Sequence, residues 1–227
     1  DWSFKGIFGK FDRGSLQRGY QVYTEVCASC HSMKYLSYRN LAEKGGPEFS
    51  IEQVKAIAAS FEVTDGPNSD GEMFERPAKL SDKFVKPYEN TKAAQAANGG
   101  AYPPDMSVLA KARTGGVDYI YSVLLGYEDP PSDVILDDGV YYNKYMYGNN
   151  IKMAQPLSDG LIEYTDGTIA SEEQMAKDVS TFLMWAAEPH LEARHKMGFK
   201  AILYLIILTI LVYFSMKKIW SRIESKV

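Results

Sequence analysis

The stretch Val26-Cys27-Ala28-Ser29-Cys30-His31 constrains this chain more than any other. Its two cysteines are the only ones in 227 residues, and one of three histidines directly follows the second. Two thiols one helical turn apart can each form a thioether to a vinyl group on one edge of a porphyrin. The adjacent imidazole can then ligate the iron, so C-x-x-C-H reads as the attachment site of a c-type haem. A thioredoxin-like redox pair would need the motif to open a helix after a strand. Here Leu16, Tyr20, Tyr23 and Cys27 are apolar at helical spacing leading into the motif, with no strand before it. A zinc site would want four ligands, and beyond Cys27, Cys30 and His31 only His190 and His195 remain.

The C-terminal end sets the second constraint. Residues 201–216 carry no charge. That run is short of the ~20 residues that cross a hydrocarbon core. Counting from Met197 reaches twenty, with Lys200 able to snorkel outward and Trp220 suited to the opposite interface. The run is apolar all round, which favours a single membrane-spanning helix over a buried core helix. Lys217, Lys218, Arg222 and Lys226, against Glu224, place the short tail in the cytoplasm. The expected organisation is a periplasmic c-type haem domain over 1–196, an anchor helix over 197–219 and a cytoplasmic tail over 220–227 of a single-pass inner-membrane protein. Haem attachment to C-x-x-C-H belongs to that outer compartment, so motif and topology agree. No signal peptide is visible at Asp1-Trp2-Ser3, so a processed chain is expected. Residues 1–196 hold 20 basic and 28 acidic side chains, a balance of −8 that fits docking to a basic partner.

Between these constraints the chain reads as helices separated by loops. The aromatic opening from Trp2 to Phe11 is expected to be an ordered arm laid over a core. A helix from about Ser15 to Cys27 delivers the motif, and 34–41 forms a short helical segment. Over 50–61, Ser50 and Gln53 make a capping box for a helix. Residues 62–100, with Gly-Pro, Arg-Pro and Lys-Pro steps, are expected to be a long surface excursion with little regular structure. A rigid turn over 101–107 leads to helices over 108–113 and 117–125, then to an acidic, Tyr-rich loop over 127–150. Asp166-Gly167 signals a hairpin. Ser171 and Gln174 make a second capping box for a helix that buries Met175, Val179, Phe182, Leu183 and Trp185 and stops before Pro189.

A haem with one histidine is either open on its far side or closed by a methionine or a second histidine. His190 and His195 lie close to the expected membrane surface. Met106 follows a Pro-Pro turn, while Met175 and Met184 sit on a helix whose ordinary role is packing. Met153 lies in an irregular stretch held by Pro156, which suits presenting one sulfur, and spacing gives it a modest preference.

Several further segments, taken in order, carry a resemblance. They are Phe8-Gly9-Lys10-Phe11-Asp12, Cys27-Ala28-Ser29-Cys30-His31, Pro103-Pro104-Asp105, Ala112-Arg113-Thr114-Gly115-Gly116, Met153-Ala154-Gln155-Pro156 and Trp185-Ala186-Ala187-Glu188-Pro189, followed by the anchor. Across nearly the whole chain the sequence resembles the cytochrome c1 family, the haem subunits of quinol–cytochrome c reductase (cytochrome bc1) complexes. The resemblance implies a mainly α fold: a class I cytochrome c-like haem domain with long loops plus one C-terminal transmembrane helix. It implies one covalent haem c attached through Cys27 and Cys30, with His31 and Met153 as iron ligands. Arg113 and Tyr119 match residues that bind a haem propionate, where a buried carboxylate needs a charge-assisted donor, and Pro104 falls in the same haem-binding set. The implied function is transfer of one electron from a Rieske iron–sulfur protein to a c-type cytochrome, beside cytochrome b in a dimeric complex, with no nucleic acid among the partners. The oxidoreductase and translocase activity would belong to the complex, since the chain has no bond-making residues of its own. Bacterial relatives often brace the methionine loop with a further cysteine pair, which this chain lacks. A haem sensor or a peroxidase-like protein would instead keep the iron open, and the latter needs a distal base for which no histidine is well placed.

Overall fold

The computed structural model describes residues 1–224. Lys226 and the end of the expected tail lie outside the described residues, as do the side chains from Arg222 onward. The architecture is mainly helical, with two short two-stranded sheets and a long C-terminal helix.

Helix α1 (Arg13–Glu25) starts two residues before the expected Ser15, because Asp12 is the cap and its carboxylate accepts from the Ser15 amide at 2.7 Å. Its inner face buries Leu16, Tyr20, Val22 and Tyr23. Helix α2 (Ile51–Ala59) begins with the expected reciprocal box between Ser50 and Gln53. The polar excursion is more ordered than its composition implies. It contains a hairpin of β1 (Glu62–Asp65) and β2 (Phe74–Pro77), and then helix α3 (Thr91–Ala97) capped by Asn90. Arg76 draws the hairpin together by binding Asp65 across the strands and Asp82 beyond them. Of the prolines that read as breakers, Pro67 lies in the loop between the strands, Pro77 is the last residue of β2 and Pro87 lies beyond the hairpin. Short helix α4 (Leu109–Ala112) and α5 (Gly116–Leu124) follow as expected, turning at Gly115, whose φ of +85° suits a residue without Cβ. The acidic loop carries a short pairing of β3 (Tyr141–Tyr142) with β4 (Asn150–Ile151) and an isolated bridge between Tyr127 and Asn143. Asp166-Gly167 makes a tight turn closed by the Gly167 amide on the Tyr164 carbonyl, with no flanking strands, so the hairpin expectation is corrected. Arg18 takes the Asp166 side chain at 2.8 Å and holds that turn against α1.

Helix α6 (Glu172–Ala187) buries all the side chains expected of it. Its capping box is only half made. Ser171 accepts from the Gln174 amide, but the Gln174 side chain donates forward to Asp178 at 2.9 Å. That diversion serves the crossing of α1 over α6. The buried Asp178 receives the Ser15 hydroxyl at 2.6 Å and two Arg18 nitrogens at 2.8 and 3.2 Å, so a charge removed from water is fully hydrogen-bonded. The helices meet at Gly19, where a Cβ would stand 2.1 Å from the Asp178 carbonyl oxygen. Around the crossing lies an aromatic core, with Phe182 between Tyr20, Tyr23 and Trp185 at ring separations of 5.8, 5.9 and 5.5 Å.

Helix α7 (Leu191–Glu224) begins six residues before the expected anchor. Leu191 and Glu192 are buried in the head, where Glu192 accepts both terminal nitrogens of Arg13 at 2.8 and 3.0 Å and the Phe11 amide at 3.0 Å. Its apolar stretch from Ile202 to Phe214 is exposed along its length, and the helix over Leu191–Ser221 is long and apolar enough to cross a bilayer. The arm is ordered as expected, with Phe4 and Phe11 buried against each other and Trp2 edge-on to Tyr121. Thermal melts of the detergent-solubilised protein should show Gly19→Ala losing roughly 3 kcal/mol or more by overpacking. Gly198→Ala, where a Cβ meets nothing within 4 Å, should change stability by less than about 1 kcal/mol.

Candidate haem site

Helix α1 ends at Glu25, and the chain tightens into a 3-10 turn over Cys27–Ser29. The amides of Cys30 and His31 both donate to the Cys27 carbonyl, at 3.1 and 2.9 Å, which winds the two thiols and the imidazole into one compact turn. Cys27 and Cys30 are free and half-buried. The Cys27 thiol is pushed up to about 12, first by burial and then by Cys30, far from the lowered value of a nucleophilic redox cysteine. Among the described residues no group of three or more His, Cys, Asp or Glu side chains is placed to hold a metal ion by itself.

His31 is buried, and its Nδ1 lies 2.8 Å from the Pro104 carbonyl oxygen. A carbonyl only accepts, so Nδ1 carries the proton and Nε2 keeps its lone pair. Burial lowers the His31 pKa, with the Pro104 bond and Asp105 opposing it, so the ring is neutral and competent as a ligand. Sequence reading placed Pro104 in the site without a contact. Here its carbonyl orients the imidazole.

Asp105, next along, stitches the same two segments together. Its carboxylate accepts from the Ser32 hydroxyl at 2.7 Å, the Lys34 amide at 3.0 Å and the Ser107 amide at 3.0 Å. The Met106 amide donates to the Ser32 carbonyl at 2.8 Å, and the Tyr35 amide to the Ser107 hydroxyl at 3.1 Å. Burial alone would raise the Asp105 pKa, but the bonds from Ser107, the Lys34 amide and Ser32 outweigh it and hold the group below its ordinary 3.8. The Asp-x-Ser spacing is the local signature that could have exposed this role.

Met153 is half-buried just after β4, and its carbonyl accepts from the Tyr127 hydroxyl at 3.0 Å. Beside it, Lys152 donates to the Gly99 carbonyl at 3.0 Å. Burial raises the Tyr127 pKa, so the phenol keeps the proton it donates. Tyr127 bridges Asn143, a fully buried amide that donates to the Val123 carbonyl at 2.7 Å and accepts from the amides of Tyr145 and Met146. Tyr127 and Asn143 were not singled out from sequence, because the Tyr127–Met153 and Asn143–Val123 bonds join separate segments and leave no periodic trace. Met106 and Met175 are buried in the core cluster and Met184 packs against it, in keeping with packing roles. Arg113 is exposed and donates to the Ala112 carbonyl, while the Tyr119 hydroxyl lies 3.2 Å from the Met146 sulfur. Both flank the Gly115–Gly116 corner, and among the described residues no hydrogen bond joins either to the Cys27–His31 turn. His195 lines a separate cavity of about 440 Å³ with Phe4, Lys5, Ile7, Met184 and Leu191.

A neutral, oriented imidazole beside two half-buried free thiols is the donor set that a covalent haem requires. A model of the Cytochrome C1 family matches residues 2–223. The chain belongs to the cytochrome c1 family. Cytochrome b/c1 of Bradyrhizobium diazoefficiens is 51% identical over 97% of this chain and 35% of its own length, so the chain spans about a third of that protein. Mitochondrial cytochrome c1-2, heme protein, of Solanum tuberosum is 49% identical over 99% of this chain and 85% of its own length. Cytochrome c1 of Rhodospirillum rubrum is 46% identical over 99% of this chain and 87% of its own length. Cytochrome c1 proteins are covalent haem c subunits that transfer electrons in bc1 complexes, and the mainly helical head with one apolar C-terminal helix is in keeping with that family.

Because the folded-state pKa of Asp105 is depressed, its stabilising contribution is present above the ordinary carboxylate value and lost as pH falls through the lowered one. Asp105→Asn should cost roughly 1–2 kcal/mol near neutral pH. In paired thermal melts its deficit against the parent should shrink below about pH 4.

Proposed function

We propose that this chain takes one electron at a time from a Rieske iron–sulfur protein and delivers it to a c-type cytochrome. It would do so beside cytochrome b in a dimeric quinol–cytochrome c reductase, whose oxidoreductase and translocase activity belongs to the whole assembly. The observation that carries this reading is the His31–Pro104 hydrogen bond, which leaves Nε2 of a buried, neutral ring free to ligate iron. The acidic head fits a basic electron acceptor. The division into a periplasmic haem domain over 1–196, an inner-membrane anchor over 197–219 and a cytoplasmic tail over 220–227 belongs to the same reading.

When bound, haem c supplies reversible one-electron chemistry, and His/Met ligation favours a high potential. The residues around it hold it. Cys27 and Cys30 would form the thioethers, His31 and Met153 would be the iron ligands, Pro104 orients His31, and Arg113 with Tyr119 would receive a propionate. Tyr127 and Lys152 hold the Met153 backbone through carbonyl contacts, doing the work of the absent cysteine pair. Potentiometric titration of Met153→Leu should show the midpoint falling by on the order of 100 mV. An unchanged midpoint would remove Met153 as a ligand. Tyr127→Phe should leave the midpoint near the parent value while raising the population of the form that binds carbon monoxide several-fold, the effect of losing one hydrogen bond of about 1 kcal/mol.

A further inference from the structure

The arm anchors itself with some aromatic side chains and displays others. Phe4 and Phe11 are buried, but Ile7 and Phe8 between them are 75% and 73% exposed. The display is built into the backbone. Gly6 has a φ of +85°, the Gly9 amide donates to the Gly6 carbonyl at 3.1 Å, and a Cβ on Gly9 would stand 2.2 Å from the Phe4 carbonyl oxygen. Bonds from the Lys5 amide to the Trp2 carbonyl and from the Lys10 amide to the Ser3 carbonyl, at 3.1 and 3.0 Å, tie down the base of the turn. The Lys5 side chain pins it to Asp118 at 2.8 Å. The turn therefore holds two large apolar side chains in the open.

Their position says what covers them. The Phe8 ring lies 6.3 Å from Phe199, a residue of α7 that immediately precedes Lys200 and the uncharged run 201–216. That is the level at which a spanning helix passes from headgroups into hydrocarbon. Lys196 and Lys200 on the same stretch of α7, and Lys10 on the turn, are exposed cations suited to lipid phosphates. We infer that the turn over residues 5–9 is a second membrane contact, seating Ile7 and Phe8 in the interfacial layer of the bilayer that α7 enters. Two attachment points stop a head on one helix from swivelling, which matters when electrons must be received and delivered on fixed faces.

The inference rests on α7 being a membrane helix, and the test separates the two. In the haem-loaded full chain Cys27 and Cys30 are consumed as thioethers, so a single introduced cysteine is the one thiol available for a nitroxide label. Ile7→Cys, Leu208→Cys and Ile135→Cys are labelled in phospholipid nanodiscs, and collision rates with oxygen and with a water-soluble nickel chelate are measured. Ile135, 97% exposed on the acidic loop, is the aqueous reference, and Leu208 on α7 is the bilayer reference. A label at position 7 should show an oxygen-to-nickel ratio several-fold above that at 135 and nearer to that at 208. A ratio equal to that at 135 places the turn in water, and shielding from both reagents places it against protein; either overturns the inference. A water-like ratio at 208 as well would remove the anchor itself.

Discussion

A hydrogen bond from His31 Nδ1 to the Pro104 carbonyl joins two segments 73 residues apart, and the haem site depends on it. It settles the tautomer, aims Nε2 and ties the end of the motif turn to the Pro-Pro-Asp segment. Burial keeps the ring uncharged, which a cation-binding nitrogen needs. Asp105 then repeats the connection with two donors, the Ser32 hydroxyl and the Lys34 amide, so the imidazole is held by a small network. A lone contact would let the ring turn, and a ligand that turns does not hold a potential.

Behind the site stands a frame of three helices. The α1–α6 crossing needs Gly19 for its closeness and Asp178 for its polar satisfaction, and α1 carries the motif turn at its C-terminal end. The start of α7 is locked to the start of α1 through Glu192, Arg13 and the Phe11 amide, so the anchor is continuous with the frame. Met153 follows a long loop, and both cysteines of the sequence lie in the motif, so no disulfide braces it. Hydrogen bonds from Tyr127 and Lys152, with the buried Asn143 closing the neck of the acidic loop, take that role. Such a brace yields more readily than a disulfide.

Much of what depended on neighbours in sequence was legible before the structure. The motif, the Ser50–Gln53 box, the inner face of α6 and the apolar run of α7 are all local patterns, and each is found where it was read. Signals that tertiary contacts compete for were misread. Gln174 has the spacing of a capping box but serves Asp178, and Asp166-Gly167 has the chemistry of a hairpin but is held by Arg18. The β1–β2 hairpin was hidden because its cohesion comes from Arg76 reaching Asp65 and Asp82, in a stretch whose prolines read as breakers. Tyr127 and Asn143 act on backbone groups of other segments, which no periodicity records.

The visible spectrum of the detergent-purified holoprotein, oxidised and reduced, with and without carbon monoxide, distinguishes a closed iron from an open one. A sharp c-type reduced spectrum, a weak sulfur-to-iron band when oxidised and no response to the gas are the results expected of an iron closed by His31 and Met153. A strong shift on adding the gas would mean an open iron and would contradict the closed electron carrier.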